Sequence, residues 1–335
     1  MSAAHPAIVT PLTVALGIRH PVLLAPMAGV SGGALAAAVS RAGGLGLIGG
    51  GYGDRDWLER EIDAAGDARV GVGFILWALE RQPDLLDLAL DRGPAAVFLS
   101  FGDFGRFAGQ VRRAGVPLIL QVQTLAQARV ALDAGADILV AQGTEAGGHG
   151  GARATLPLVP AVVDIAGDIP VVAAGGIADG RGLAAALMLG AAGVLCGTAF
   201  YAAEESLAHP RARAAAVAAR GDETTRGRVF DRARGLDWPP EWTLRARSNT
   251  FERTWRGRED AIDADTLADF AEAVRSGDPD TMPVIVGEAV DLVQSVRSAV
   301  AITQEICASA ARLLSAAPGR LAPDAPGSRA LGTGG

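Results

Sequence analysis

The chain contains no lysine; all 30 of its cationic side chains are arginine. Schiff-base chemistry and pyridoxal phosphate anchoring need a lysine amine, so both are excluded. A Walker-type phosphate loop, which also depends on a lysine, is excluded with them. Cysteine is nearly absent. Cys196 and Cys307 stand far apart and in no metal-ligand spacing, which argues against a disulfide framework or a zinc site and for a reducing cytoplasm. No apolar run is long enough to read as a membrane span. Residues 1–10 lack the basic start and apolar core of a signal peptide, so the expectation is a cytoplasmic protein. A formal charge of −7 makes a nucleic-acid partner unexpected.

What is present is apolar. Half of the 335 residues are hydrophobic, enough for one sizeable core. Short runs rich in Val, Ile and Leu recur at Val22–Met27, Gly44–Gly50, Val70–Leu76, Ala95–Gly102, Pro117–Gln123, Ala136–Gln142, Ile169–Ile177 and Gly193–Phe200. Between them lie Ala- and Leu-rich segments with helical spacing, such as Gly32–Ala42, Leu125–Ala134 and Arg181–Leu189. Strands apolar on both faces and alternating with helices indicate a parallel sheet. Eight such units fit a closed (β/α)₈ TIM barrel. The alternative, an open doubly wound sheet, usually carries G-x-G-x-x-G after its first strand, and Ala25-Pro26-Met27-Ala28-Gly29 does not match.

The pattern divides the chain into a barrel over residues 10–203, a mostly helical extension over 204–283, a closing C-terminal helix over 284–315 and a disordered tail over 316–335. The extension carries Trp238, Trp242 and Trp255 and the Asp237-Trp238-Pro239-Pro240 turn, and its segment 237–255 is a candidate lid.

A (β/α)₈ barrel places its chemistry at the C-terminal ends of its strands. Those ends supply Ala25, Pro26, Met27 and Ala28; Gly73 and Phe74; Ser100; Gln121 and Gln123; Gln142; Ala174, Gly175 and Gly176; and Cys196, Gly197 and Thr198. After the sixth strand comes the densest feature, Gly143–Gly151, with five glycines and one histidine in nine residues. Glycine lets backbone N–H groups approach a ligand, and a histidine beside them exchanges protons near neutral pH. Of the four histidines, His5, His20, His149 and His209, only His149 lies at a strand end, preceded by Gly147 and Gly148. Glycine turns after strands seven and eight suit a phosphate, since free N–H groups and a following helix N-terminus favour negative charge.

Carboxylates are scarce in this lining. Glu145 is the one acid of the histidine loop, and Asp179 is placed to cap the helix near Arg181. Paired-carboxylate hydrolysis therefore lacks a pair, and a divalent metal lacks hard ligands. An apolar, glycine-lined pocket with one histidine suits a cofactor that carries the hard chemistry itself. FMN fits by shape, with its phosphate at strands seven and eight and its ring against Pro26, Met27 and the glycine loop. Gln121 and Gln142 could bond the ring edge.

PVLLAPMAG at Pro21–Gly29, AGGLGLIGG at Ala42–Gly50, VAQGTEAGGH ending at His149, VAAGGI at Val172–Ile177 and GAAGVLCGTAFYAAEES at Gly190–Ser206 occur in this order. Together they resemble the nitronate monooxygenases, formerly 2-nitropropane dioxygenases. The resemblance implies an FMN-binding barrel with a smaller helical domain. It also implies oxidation of alkyl nitronates by O₂ to a carbonyl compound and nitrite. His149 would be a base toward a neutral nitroalkane or a hydrogen-bond partner of the anionic nitronate. Many relatives carry Gly-Val-Asn after the third strand where this chain has Gly71-Val72-Gly73-Phe74-Ile75. Phe74, Ser100 and Glu145 are the candidate substrate contacts. Two alternatives stand beside this reading. One is an NAD(P)H-dependent flavin reductase of the same superfamily, acting on an enoyl thioester or a quinone. The other is a barrel that binds a phosphate ligand without redox chemistry.

Overall fold

The computed structural model describes residues 7–320. Eight parallel strands form the barrel: β1 (Val22–Leu24), β2 (Leu47–Gly49), β3 (Gly71–Ile75), β4 (Val97–Ser100), β5 (Leu118–Val122), β6 (Ile138–Gln142) and, after a short outer strand β7 (Gly148–Gly150), β8 (Val171–Ala174) and β9 (Gly193–Cys196). Their order is β1-β9-β8-β6-β5-β4-β3-β2. The ring is completed by Leu24 N–H donating to the Leu45 carbonyl at 3.0 Å and Leu45 N–H donating to the Val22 carbonyl at 3.1 Å. Each barrel strand lies inside one of the eight apolar runs read from the sequence. The strands are shorter than the runs because the residues after each strand turn outward to build the rim.

The apolar runs serve two layers at once. Leu23, Leu47, Phe98, Ile119, Val140, Val172 and Leu195 fill the barrel interior. Val22, Leu24, Ile48, Leu99, Leu120, Leu139 and Val194 pack outward against the helices. This two-sided burial is why alternation is weak in these runs. The first helix, Pro11–Leu16, is capped by Thr10 and sends Leu12 and Leu16 into the interior layer. The cavity described below therefore opens at the opposite, C-terminal end of the strands.

The region after β9 differs from the expected mostly helical extension. It contains the helices Pro210–Ala218, Val229–Ala233, Thr250–Trp255 and Ala264–Ser276, and also two strands, β10 (Thr224–Gly227) and β11 (Thr243–Arg247). These join β7 in an antiparallel sheet of order β10-β11-β7, with Leu244 opposite His149. The histidine loop of the barrel is thus the edge strand of the extension's own sheet.

The closing helix runs Ala299–Ala316 rather than from 284. Residues 284–298 form a loop with a 3₁₀ turn at Glu288–Leu292, and Ser298 caps the helix through its hydroxyl. The proposed disordered tail reaches the described residues only at Ala316 and a 3₁₀ turn, Pro318–Arg320; the rest of it lies outside them. Among the described residues no helix is long and apolar enough to cross a membrane.

Candidate active site

A cavity of about 1150 Å³, counted with its open mouth, sits over the C-terminal ends of the strands. Ala25, Pro26, Met27, Ala28, Gly73, Phe74, Ser100, Gln121, Gln142, Gly147, Gly148, His149, Ala174, Gly175, Gly176, Gly197 and Thr198 all line it. The floor is held by close backbone approaches. A Cβ on Gly73 would collide with the Pro26 ring. Gly175, with φ of +101°, would place one 2.9 Å from the Gly143 carbonyl and the Thr155 hydroxyl. Neither position tolerates a side chain without moving the rim.

Three candidates from the sequence fall elsewhere. Glu145 does not line the cavity. Its carboxylate accepts from the Thr155 amide at 3.0 Å and from the Thr155 hydroxyl at 2.8 Å, at the start of the helix Thr155–Ala166. The N-cap residue of that helix is Ala154, which has no side-chain oxygen, so Glu145 supplies the missing acceptor. Cys196 packs into the layer between strands and helices, and burial pushes its thiol up to about 12. Only its carbonyl faces the site's frame, accepting from the Ala25 amide at 2.9 Å. Gln123 is buried behind the rim and donates to Gln142 Oε1 at 3.0 Å. Asp179 caps the helix Gly180–Met188, as its position suggested.

The glutamine pair is asymmetric. Gln142 Oε1 accepts from Gln121 and Gln123, and Gln142 Nε2 donates to the His149 carbonyl at 3.1 Å. Its amide is thus committed to holding β7 against the barrel. Gln121 keeps Oε1 without a protein partner among the described residues, which leaves Gln121 as the amide that can address a ligand.

His149 is buried and fully framed by residues the sequence did not single out for chemistry. Its Nε2 lies 3.0 and 2.9 Å from the two carboxylate oxygens of Asp231. Asp231, on the helix Val229–Ala233, also accepts from Arg234 Nη2 at 3.0 Å. The indole of Trp238 lies parallel to the imidazole with centroids 3.4 Å apart, and its Nε1 donates to the Tyr52 hydroxyl at 3.3 Å. Burial lowers the imidazole's proton affinity below the ordinary 6.5, and the Asp231 carboxylate opposes that shift. His149 is accordingly neutral near pH 7.

The mouth is aromatic in a chain that has few aromatics. Trp238, Tyr52 and Phe101 line it, and two more of the five tryptophans, Trp77 and Trp242, pack against them. Phe101 directly follows β4 in a left-handed conformation, φ 59°, which costs a non-glycine residue strain. That strain aims its ring at Trp238, Trp242 and His149. The candidate lid 237–255 splits in two: Trp238 lines the cavity with Trp242 packed beside it, while Trp255 packs with Phe251 in a separate cluster. The tryptophan density and the Asp-Trp-Pro-Pro turn were visible signals. Asp231 and Arg234 carried none, because they sit in an arginine-rich stretch that reads as a solvated helix.

A family model described as nitronate monooxygenase matches residues 10–70 and 78–309. The interruption spans residues 71–77, which hold β3, Phe74 and Trp77. The chain is 35% identical over 321 residues to the nitronate monooxygenase npaC of Metarhizium robertsii, covering 85% of this chain and 89% of that one. It is 38% identical over 202 residues to a Mycobacterium tuberculosis protein named (3aS,4S,5R,7aS)-5-hydroxy-7a-methyl-1-oxo-octahydro-1H-indene-4-carboxyl-CoA dehydrogenase, covering 59% of this chain and 57% of that one. Among solved structures it resembles FabK from Thermotoga maritima, with a TM-score of 0.81, 31% identity and coverage of 94% and 100%.

Proposed function

The chain belongs to the nitronate monooxygenase family, and from that premise we propose that it binds FMN across the barrel mouth and oxidises alkyl nitronates with O₂ to a carbonyl compound and nitrite. The observation that carries the reading is the position of His149. It is a neutral, buried imidazole on the wall of a glycine-floored cavity with hardly any other acid or base.

The residues present suit a flavin mononucleotide. The turns at Gly175-Gly176 and Gly197-Thr198 would hold its phosphate through backbone N–H groups. Ala25–Ala28, with the Pro26 ring seated against Gly73, would support the ring, and Gln121 would address its polar edge. When bound, the flavin supplies the electron acceptor and the reactivity toward O₂. The protein's share is placement and proton handling. Phe101 and Trp238 keep water from one side of His149. Thr155 and Glu145 lock the loop that carries it. Both cysteines are free and buried, which fits the cytoplasm.

A second reading, a flavin enzyme acting on a coenzyme A thioester, is favoured by the relative named as a carboxyl-CoA dehydrogenase. Steady-state assays separate the two. Oxygen uptake with matching nitrite release from propyl-2-nitronate supports nitronate oxidation. NADPH consumption with an enoyl thioester, and no nitrite, overturns it. Flavin released by heat and identified by chromatography tests FMN itself.

A further inference from the structure

His149 has two ring nitrogens, and the protein engages one of them. Nε2 meets both oxygens of the Asp231 carboxylate, at 3.0 and 2.9 Å. Nδ1 has no protein hydrogen-bond partner among the described residues, and His149 lines the cavity. The two side chains are 5% and 3% exposed, so water does not compete for the contact. A carboxylate only accepts, so the proton of the neutral ring sits on Nε2 and the lone pair on Nδ1. The indole of Trp238 lies parallel to one face of the ring and the Phe101 ring meets it edge-on, which resists a ring flip that would exchange the nitrogens.

Building on the function proposed above, the geometry points to Asp231 as a positioning residue that fixes His149 in its Nε2–H tautomer, so that Nδ1 takes the α-proton of a neutral nitroalkane. The C–H bond next to the nitro group breaks, and its proton forms the N–H bond at Nδ1. The electron pair moves onto the nitro group, giving the nitronate, and His149 becomes a cation against Asp231. No oxidant enters this step. A bare lone pair at Nδ1 suits an acidic C–H, so the site can make the nitronate from the neutral carbon acid as well as receive it preformed. Once protonated, Nδ1 donates to the nitronate oxygens and holds the product in place.

The charged and titratable groups around the ring are few. Asp231 and Arg234 come from the helix Val229–Ala233 and its end, Arg226 from β10 and Tyr52 from the turn after β2. Arg234 and Arg226 both oppose a charge on the imidazole, as burial does, and Asp231 alone favours it. Removing the carboxylate therefore moves the acid limb of the pH–rate profile to lower pH while weakening the base.

The test is Asp231→Asn, with Asp231→Glu as the conservative comparison. For nitroethane we expect kcat/KM to fall by about 10²-fold in Asp231→Asn, with the acid limb displaced downward, and to recover partly in Asp231→Glu. For preformed ethylnitronate the loss should stay within about threefold, because no proton is abstracted. Independently of turnover, ¹⁵N NMR of histidine-labelled, flavin-loaded protein should show His149 as the Nε2–H tautomer, assigned by the resonance missing in His149→Gln. Equal losses on both substrates together with loss of flavin, or an Nδ1–H tautomer in the wild type, would overturn the proposal. A wild type inactive on both substrates would overturn the nitronate reading, and the NMR tautomer would still decide the role of Asp231.

Discussion

Trp238 lies flat on the imidazole of His149, its ring centroid 3.4 Å away and its plane 8° from parallel. The contact joins the extension after the barrel to the loop after β6, and it makes the site a product of both parts. Trp238 is 2% exposed, so its removal opens a large void. We expect Trp238→Ala to cost about 3–5 kcal/mol of stability, the range for a deleted buried aromatic. Trp238→Phe should keep part of the packing and cost less, losing one ring's volume and the bond to the Tyr52 hydroxyl. Urea midpoints of the two variants check the order.

His149→Ala should leave flavin bound, because the flavin contacts proposed for this site come from the glycine turns and the Ala25–Ala28 segment. Turnover of neutral nitroalkanes should fall by roughly 10²-fold or more, the scale of a lost general base. Visible absorbance and nitrite release, measured on the same preparation, separate binding from chemistry. Unchanged turnover on neutral and anionic substrates alike would give His149 a structural role.

Glu145 tests a distinction that spacing alone could not draw. Its carboxylate replaces a missing N-cap side chain for the helix Thr155–Ala166. Glu145→Ala should therefore lower stability by about 0.5–2 kcal/mol, the usual worth of a cap. KM for nitronate should be unchanged. A raised KM at full stability would return Glu145 to the substrate pocket.

Gly175→Ala should lose flavin. The residue has φ of +101°, and a Cβ there would press on the Gly143 carbonyl and the Thr155 hydroxyl. The ratio of flavin to protein absorbance after purification is the readout, with Gly93→Ala, a remote glycine with open space around it, as the control for a positive-φ substitution.

The barrel was legible because its signal is local and repeated. Every strand is a short apolar run, and the rim positions are its last residues and those just after it. The His149 loop was legible because glycine density marks a close approach. The partner of His149 was not, because Asp231 lies in an arginine-rich segment whose burial depends on β10 and β11 folding against β7. The same sheet hid in a region whose charges and tryptophans suggested helices: β10 and β11 are Thr- and Arg-rich, and only pairing with β7 makes them strands. Glu145 misled for a related reason, since the helix it serves starts ten residues later, at Thr155. The glutamines gather as their strand positions imply, but only geometry divides Gln142, spent on the His149 carbonyl, from Gln121.

Acidity should destabilise the fold through histidine before carboxylates respond. Burial lowers the proton affinity of His149 and His20 below 6.5 in the folded state. The unfolded chain therefore binds more protons as the pH falls through 6.5, and stability declines below it. Urea midpoints at pH 7.5 and 5.5 should show that loss, and His149→Gln should reduce the difference. A midpoint that rises on acidification would contradict the burial of both rings as neutral groups.

The most direct measurement is the flavin absorbance of purified protein mixed without oxygen with propyl-2-nitronate, and separately with NADPH. Bleaching by the nitronate, with little change from NADPH, is the expected result. Rapid bleaching by NADPH and none by the nitronate would contradict nitronate oxidation and leave a nicotinamide-driven reductase.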